Sequence, residues 1–254
     1  MKNKDPNRER YNQIWKNTKV QPPEIWSTWK VVREIIGDKN LEIGSGNYPS
    51  IPIKNGFFLD ISETAIFNLK KIGGRAFLGS VEKLTFPNNY FDCVVALDVL
   101  EHVDNDKKAL LEISRVLKSG GFFLFSVPLG KEKFSEIDKV AGHKRRYEVK
   151  NLIALIKESC FRIIRWRAPS LKYFHLSFIT KIPIFGRFLM NNMLKIYKNK
   201  SSQSFFGLPK FIVNYLVRFT ALIDRITAPS WCKDRDKLEK FTGEGVIVLC
   251  QKLN

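Results

Sequence analysis

An acidic residue and two closely spaced glycines follow a short apolar run, in the order Leu41-Glu42-Ile43-Gly44-Ser45-Gly46. Glycines at such positions let the backbone adopt positive φ and approach a ligand closely, because neither has a Cβ atom. The carboxylate of Glu42 adds a negative charge beside the opening of this glycine loop. The combination is typical of a nucleotide or nucleoside pocket.

The glycine loop differs from a dinucleotide fingerprint, which has a third glycine where this sequence has Pro49. That glycine would let a pyrophosphate rest on the N-terminus of the following helix. An acid ahead of the first glycine also repels phosphate and suits a cationic or hydroxyl-bearing ligand. The residues therefore indicate S-adenosylmethionine, which carries an ammonium group and a sulfonium.

Two histidines are candidates for proton transfer in such a pocket, because histidine can act as a base near neutral pH. His102 ends the run Asp98-Val99-Leu100-Glu101-His102, after an apolar strand whose carboxyl end should face the ligand. An alternative role for His102 is to orient its loop. His143 lies in Gly142-His143-Lys144-Arg145-Arg146-Tyr147, where the arginines and Tyr147 are candidates for binding an anionic acceptor. A solvated basic turn is the alternative for the arginines.

Alternating strands and helices predict the fold that positions these residues. Apolar runs predict strands at 40–43, 57–60, 76–78, 91–100, 122–127, 161–166 and 245–253. Helical periodicity predicts helices within 60–73, from Asp104 or Asn105 to Ser119, and over 149–159, with two more within 7–36. This order predicts an α/β fold: a doubly wound, mainly parallel, seven-stranded Rossmann-like sheet with helices on both faces and a helical insertion before the last strand.

Four parts are expected along the chain: an N-terminal helical cap (1–36), the core (37–168), a basic aromatic helical insertion (169–240) and the last core strand (241–254). Residues 161–240 hold 16 lysines and arginines against four acids, in a chain of net charge +18. Apolar segments edged by these bases, at 182–186, 205–209 and 211–217, are typical of a helix lying on anionic lipid. A cap packed on the sheet edge or a dimer contact is the alternative. His175, also in the insertion, is expected to serve packing.

Composition narrows the function classes. A hydrophobic content of 44% over 254 residues favours one folded domain with an elaboration. Cys93, Cys160, Cys232 and Cys250 lie far apart and form no C-x-x-C pair, so neither a zinc cluster nor a disulfide framework is expected. We find no secretory signal and no apolar run of about 18 residues that would span a bilayer. A cytoplasmic protein, peripheral on the inner face of the membrane, is expected.

Four blocks in order along the chain together resemble the class I S-adenosylmethionine-dependent methyltransferases. The resemblance is strongest to the bacterial methyltransferase-11-like group, which acts on small molecules, lipids or glycans. The blocks are LEIGSGNYPS at 41–50, FFLDIS at 57–62, VEKLTFPNNYFDCVVALDVLEHV at 81–103 and ALLEISRVLKSGGFFLFSVP at 109–128. The joint match is specific, although any single block is weak.

The resemblance implies a role for each cofactor residue. The glycine loop with Glu42 would surround the methionine part of the cofactor, and Asp60 would accept hydrogen bonds from the ribose hydroxyls. Ser80 would lie at the adenine ring, where relatives often have an acid. Asp98 would line the cofactor near its methyl group. The implied cofactor-binding set is Glu42, Gly44, Gly46, Asp60, Ile61, Ser80, Val81, Leu97 and Asp98.

We therefore expect a methyltransferase that uses S-adenosylmethionine to methylate a small-molecule, lipid or lipid-linked glycan acceptor at the membrane surface. Methyl transfer is an in-line displacement that mainly requires positioning. His143, His102 and Tyr147 are the candidate catalytic residues, and no metal site is expected. An RNA methyltransferase is the first alternative, although the sequence lacks an Asn-Pro-Pro-Tyr element after the fourth strand and a Pro-Cys nucleophile. The second alternative is a non-catalytic S-adenosylmethionine-binding or membrane-associated scaffold.

Overall fold

The structure is a computed structural model that describes residues 6–169 and 210–253. Three expectations lie outside the described residues: the packing role of His175 and the two apolar segments at 182–186 and 205–209.

The described residues form one seven-stranded sheet in the order β3-β2-β1-β4-β5-β7-β6. β7 runs antiparallel to both of its neighbours, and the other adjacent strands are parallel. This arrangement confirms the predicted doubly wound, mainly parallel sheet. The strands are β1 (Asn40–Ile43), β2 (Phe57–Asp60), β3 (Arg75–Leu78), β4 (Phe91–Leu97), β5 (Leu117–Pro128), β6 (Phe161–Arg167) and β7 (Gly245–Lys252).

Helices precede and connect these strands. The helices are α1 (Pro6–Lys16), α2 (Trp29–Ile35), α3 (Glu63–Lys71), α4 (Asp106–Val116), α5 (Glu136–Ala141), α6 (Val149–Glu158), α7 (Lys210–Thr227) and α8 (Arg235–Glu239). Of the two capping residues that the sequence left open for α4, Asn105 is the cap, because its side chain accepts a hydrogen bond from the backbone N–H of Lys108 at 2.8 Å. The six-residue helix α5 was not predicted, since so short a segment shows little periodicity.

The buried residues of β4 divide the core into two layers. One layer joins alternate residues of β4 to α4 and α6, through Val94, Ala96, Leu110, Ile113, Leu152 and Ile156. The other joins the intervening residues of β4 to α2 and α3, through Cys93, Val95, Val32, Ile35, Ile66 and Leu69. Both faces of the sheet are therefore covered, as expected for a central parallel strand that is apolar on both sides.

Two strand boundaries differ from the prediction. β4 was expected to reach Leu100 but ends at Leu97, because Asp98 has a positive φ of 55° and residues 100–102 form a 3₁₀ turn. β5 was expected to begin at Phe122 but begins at Leu117. Phe91 pairs with Leu117 and Cys93 pairs with Phe122, so the Ser-Gly-Gly segment is an irregularity within β5 rather than the end of α4.

Helix α7 lies against the segment that links α1 to α2. The backbone N–H of Lys19 donates to Asn214 Oδ1 at 3.1 Å, and that of Ser27 donates to Asp224 Oδ2 at 2.9 Å. The side chain of Ala221 is buried. Within the described ranges, none of the helices combines the length and the apolarity needed to cross a membrane. The four-part division of the chain stays a prediction.

Candidate active site

A cavity of about 310 Å³ lies at the carboxyl ends of β1, β2 and β4. This is the edge where open α/β sheets bind ligands, and the volume lies within the range of small-molecule sites. Every residue of the predicted cofactor set except Gly46 lines the cavity: Glu42, Gly44, Asp60, Ile61, Ser80, Val81, Leu97 and Asp98. Residues up to 56 positions apart in the sequence are thus brought to one surface by the parallel strands.

Both glycines of the glycine loop have left-handed backbone conformations, with φ of 69° at Gly44 and 54° at Gly46. A Cβ atom at Gly44 would lie 2.7 Å from Val99 Cγ2, and one at Gly46 would lie 2.1 Å from Trp15 Cζ2. The first glycine therefore makes room for the side chain of Val99, and the second makes room for an aromatic ring of α1. Direct cofactor contact by Gly46 stays a prediction.

Glu42 ties the far end of the glycine loop back to β1. Its Oε2 accepts hydrogen bonds from the backbone N–H groups of Ser50 at 2.8 Å and Ile51 at 3.1 Å. Burial raises the pKa of this carboxyl to about 7. Glu42 therefore both orders the loop and places a titratable group on the cavity wall.

Asp60 joins the same loop to the start of α3. Its Oδ2 accepts from the backbone N–H of Gly46 at 3.0 Å, and its Oδ1 accepts from that of Ser62 at 2.8 Å. Burial raises the pKa of Asp60 to about 6. Because each carboxylate oxygen can accept more than one hydrogen bond, both can still receive a ligand hydroxyl.

Asp98 is held in its left-handed conformation by Ser126 of β5. The Ser126 hydroxyl lies 2.6 Å from Asp98 Oδ1 and 3.0 Å from the backbone N of Asp98. Non-glycine residues with positive φ are uncommon, and such strain concentrates at functional sites. The turn ends β4 and brings Val99 and His102 to the cavity.

The cavity wall next to Ser80 carries an acid that the sequence analysis did not assign. Glu82 lines the cavity two residues beyond Ser80, and its Oε1 accepts a hydrogen bond from the backbone N–H of Asn105 at 2.5 Å. The family resemblance implies an acidic residue beside the adenine ring at the position of Ser80. Here the carboxylate in that region belongs to Glu82, two residues later in the sequence.

Aromatic side chains from the N-terminal region form a wall that the sequence analysis missed. Tyr11, Trp15, Trp26 and Tyr48 all line the cavity. The rings of Tyr11 and Trp15 stack with centroids 6.2 Å apart, and Trp26 Nε1 donates to the carbonyl oxygen of Pro49 at 3.1 Å. Tyr11 and Trp15 are four residues apart, and this helical spacing was a usable signal for an aromatic face.

His102 is the predicted catalytic residue that lines the cavity. Its Nδ1 lies 3.0 Å from the carbonyl oxygen of Gly142, which can only accept, so this nitrogen carries the proton. Nε2 is then an acceptor, and the Tyr11 hydroxyl 3.2 Å away donates to it. Burial lowers the pKa of His102 to about 4. The imidazole is therefore neutral at physiological pH.

His143 lies behind His102 rather than on the cavity wall. The two rings meet edge to face with centroids 4.8 Å apart. His143 Nδ1 is 2.8 Å from Asp138 Oδ1, and Nε2 is 3.9 Å from Glu101 Oε1. Burial raises the pKa of Glu101 well above its usual range. The catalytic role predicted for His143 is untested.

Tyr147 and the neighbouring arginines make contacts inside the protein and do not line the cavity. The Tyr147 hydroxyl lies 2.9 Å from Asp106 Oδ2. Arg145 pairs with the same carboxylate at 2.8 Å, and Arg146 pairs with Asp138 at 2.8 Å. These contacts give all three side chains a structural role, and their predicted roles in catalysis and acceptor binding stay predictions.

The cavity is acidic although the chain is strongly basic. Among the described lining residues are the carboxylates of Glu42, Asp60, Glu82, Asp98, Asp104 and Asp224, against the ammonium group of Lys144. Lys144 Nζ is itself paired with Asp104 at 2.5 Å. In a chain of net charge +18, such a lining favours a cationic ligand.

Comparisons with known proteins find similarity to methyltransferases in sequence and in fold. Residues 41–125 match the family model described as a methyltransferase domain. An uncharacterized protein of Methanocaldococcus jannaschii is 34% identical over 120 residues, which cover 46% of this chain and 47% of that protein. The ubiquinone/menaquinone biosynthesis C-methyltransferase of Francisella tularensis subsp. novicida is 35% identical over 79 residues, which cover 30% of this chain and 32% of that protein. The chain thus spans about half, or less, of the length of these relatives.

The fold is shared with a solved structure of a possible histamine N-methyltransferase from Thermotoga maritima. The TM-score is 0.56 at 16% sequence identity, and the alignment covers 96% of this chain and 93% of that one.

These comparisons confirm the predicted resemblance to the class I S-adenosylmethionine-dependent methyltransferases and the predicted fold. More particularly, residues 41–125 are similar to a methyltransferase domain, and the cofactor that this similarity supports is S-adenosylmethionine.

Proposed function

We propose that the whole chain transfers a methyl group from S-adenosylmethionine to a small-molecule, lipid or lipid-linked glycan acceptor. The observation that carries this proposal is the acid-lined cavity at the carboxyl ends of β1, β2 and β4 in a basic chain. S-adenosylmethionine supplies an activated methyl group when bound. The chain must therefore bind a cation, hold it beside the acceptor and exclude water.

We assign the predicted cofactor residues to these tasks by their positions. Asp60 presents oxygens that can accept ribose hydroxyls. Asp98, together with Glu42 in its ionised form, adds negative charge that attracts the ammonium and sulfonium groups. Ser80 and Val81 line the adenine end of the cavity.

The acceptor is assigned to the side of the cavity formed by α1 and the turn after β4. There His102 presents a neutral imidazole whose Nε2 accepts from the Tyr11 hydroxyl. An acceptor hydroxyl could replace the Tyr11 hydroxyl as the hydrogen-bond donor to this nitrogen. The aromatic rings of Trp15 and Tyr48 offer apolar surface for the rest of the acceptor.

Calorimetry with S-adenosylmethionine tests the pocket. Asp60→Asn removes a charged acceptor, and a hydrogen bond to a charged group contributes about 1.5–3 kcal/mol. We expect binding to weaken roughly ten- to hundredfold. Asp38→Asn is the matched control, because Asp38 is exposed and precedes β1 at the opposite edge of the sheet. Unchanged binding in Asp60→Asn would refute the pocket assignment.

The acceptor class is tested with radiolabelled S-adenosylmethionine and separated cell fractions. We expect label in the lipid or small-molecule fraction. Label in RNA would overturn the proposed acceptor and favour an RNA methyltransferase.

The exposed face of α7 supports a location at a membrane surface. Phe219, Leu222 and Ile226 are exposed and share one helical face by their spacing. The exposed bases Arg218 and Arg225 flank them. Apolar residues edged by positive charge are typical of helices that lie on anionic lipid.

Sedimentation with phosphatidylglycerol vesicles at low salt tests this surface. Replacing Phe219, Leu222 and Ile226 together by serine should abolish cosedimentation. Phe67→Ser is the matched control, because Phe67 is an exposed aromatic residue of α3. Failure of the wild-type protein to bind the vesicles would remove the membrane proposal.

A further inference from the structure

Glu101, His102 and His143 meet beside the cavity, and of these three the proposed function uses His102 alone. One ligand atom from each of Glu101, His102 and His143 lies within 4.8 Å of the other two. Two imidazole nitrogens and one carboxylate oxygen are ligands that Zn²⁺ and related divalent ions accept.

The two imidazoles are already oriented for binding. His102 Nδ1 donates to the carbonyl oxygen of Gly142 at 3.0 Å, and His143 Nδ1 lies 2.8 Å from Asp138 Oδ1. Metal-binding histidines usually direct their second nitrogen to a carbonyl or carboxylate in this way, and the other nitrogen coordinates the metal. Asp138 is fixed in turn by Arg146 Nε at 2.8 Å.

The buried carboxyl group of Glu101 is independent evidence for a bound cation, because one of its oxygens lacks a hydrogen-bond partner among the described residues. Its side chain is 1% exposed, and Oε2 has no hydrogen-bond partner among the described residues. A buried polar atom without a partner costs about 1–3 kcal/mol, and more if it is charged. A cation bound at this carboxylate would remove that cost.

We propose that Glu101, His102 and His143 bind a divalent ion of the Zn²⁺ class through the carboxylate and the two Nε2 atoms. Tetrahedral coordination at about 2.1 Å places ligand atoms about 3.4 Å apart, so the widest separation of 4.8 Å must contract. Coordination through His102 Nε2 would replace the hydrogen bond that this nitrogen accepts from the Tyr11 hydroxyl, 3.2 Å away.

The ion would lie at the border of the cavity, because His102 belongs to both the cavity wall and the cluster. A ligand position left open towards the cavity could take an oxygen of the acceptor. This acceptor role rests on the proposed methyltransferase function, whereas metal binding itself does not.

The experiment treats the 254-residue chain with a chelator to remove any metal and then titrates it with Co²⁺, which reports its coordination by visible absorption. We expect one Co²⁺ per chain in a tetrahedral-type spectrum that Zn²⁺ displaces. Glu101→Gln and His143→Gln should each weaken binding at least tenfold, with folding checked by circular dichroism. His175→Ala is the control, since it removes the third histidine of the sequence.

A hexaaqua-type Co²⁺ spectrum, or folded variants that bind Co²⁺ as tightly as the wild type, would overturn the metal site. S-adenosylmethionine binding is measured by calorimetry on the same samples. Loss of that binding with an intact Co²⁺ site would refute the proposed function and leave the metal site standing.

Discussion

Replacing Glu42 by glutamine should change how the stability of the ligand-free protein depends on pH. Burial raises the pKa of this carboxyl from 4.5 to about 7. Between these values the folded protein holds a proton that the unfolded chain has released, so stability falls as pH rises. From pH 5 to pH 8 this group alone should lower the free energy of unfolding by about 2–3 kcal/mol.

Urea unfolding at pH 5 and pH 8 measures this contribution. Glu42→Gln has no carboxyl to titrate, so its free energy of unfolding should fall by about 2–3 kcal/mol less than that of the wild type. In thermal unfolding the same difference corresponds to roughly 5–10 °C. The glutamine amide also faces the N–H groups of Ser50 and Ile51, but that cost does not vary with pH.

Other titrating groups cancel in the comparison, because both proteins contain them. Asp60, with a pKa of about 6, acts in the same direction as Glu42. His102, with a pKa of about 4, acts in the opposite direction, since its folded form releases a proton that the unfolded chain retains. Parallel pH profiles for the wild type and Glu42→Gln would refute the inference that burial controls this carboxyl.

Two further substitutions test the walls of the cavity. Gly46→Ala would place a Cβ atom 2.1 Å from Trp15 Cζ2 at a position with positive φ. It should therefore lower the free energy of unfolding by more than the ~1–2 kcal/mol of backbone strain alone, and it should change tryptophan fluorescence. Gly73→Ala is its control, because its φ is also positive but nothing lies within 4 Å, and equal losses in urea unfolding would contradict the packing argument. Ser126→Ala removes the hydroxyl that holds Asp98 and should cost about 1–3 kcal/mol of stability, whereas Ser126→Thr should retain most of it. An unaffected midpoint in the alanine variant would show that Asp98 does not need this contact.

Local sequence features predicted the sheet and much of the cavity lining. In a parallel sheet, the place of a residue along its strand determines which edge of the sheet it reaches. Residues that follow the apolar runs, such as Glu42, Asp60 and Asp98, reach the same edge whenever the strands are parallel and adjacent. The ends of β4 and β5 were less predictable. Both depend on backbone irregularities, at Asp98 and around Gly120, that the apolar pattern does not report.

The features that the sequence did not predict depend on contacts between segments that are distant along the chain. Cysteine spacing indicates no metal site, and no local pattern in the sequence places His143 next to His102, which lies 41 residues earlier. That neighbourhood depends on α5 and on the loop that brings Gly142 to the His102 imidazole. Likewise, Asp224 of α7 reaches the cavity wall only because α7 packs on the segment before α2.

Acidic residues are concentrated at the cavity, whereas most basic residues lie in other parts of the molecule. The acids gathered at the cavity would attract a cationic cofactor, while the bases that produce the net charge of +18 lie largely elsewhere. An anionic acceptor or lipid surface would therefore be attracted to the outside of the protein but repelled from the cofactor end of the cavity. This charge distribution favours acceptors whose negative groups stay at the cavity entrance while the uncharged group to be methylated enters the cavity. Salt should then weaken acceptor capture more than cofactor binding, because exposed charges are screened more than buried ones.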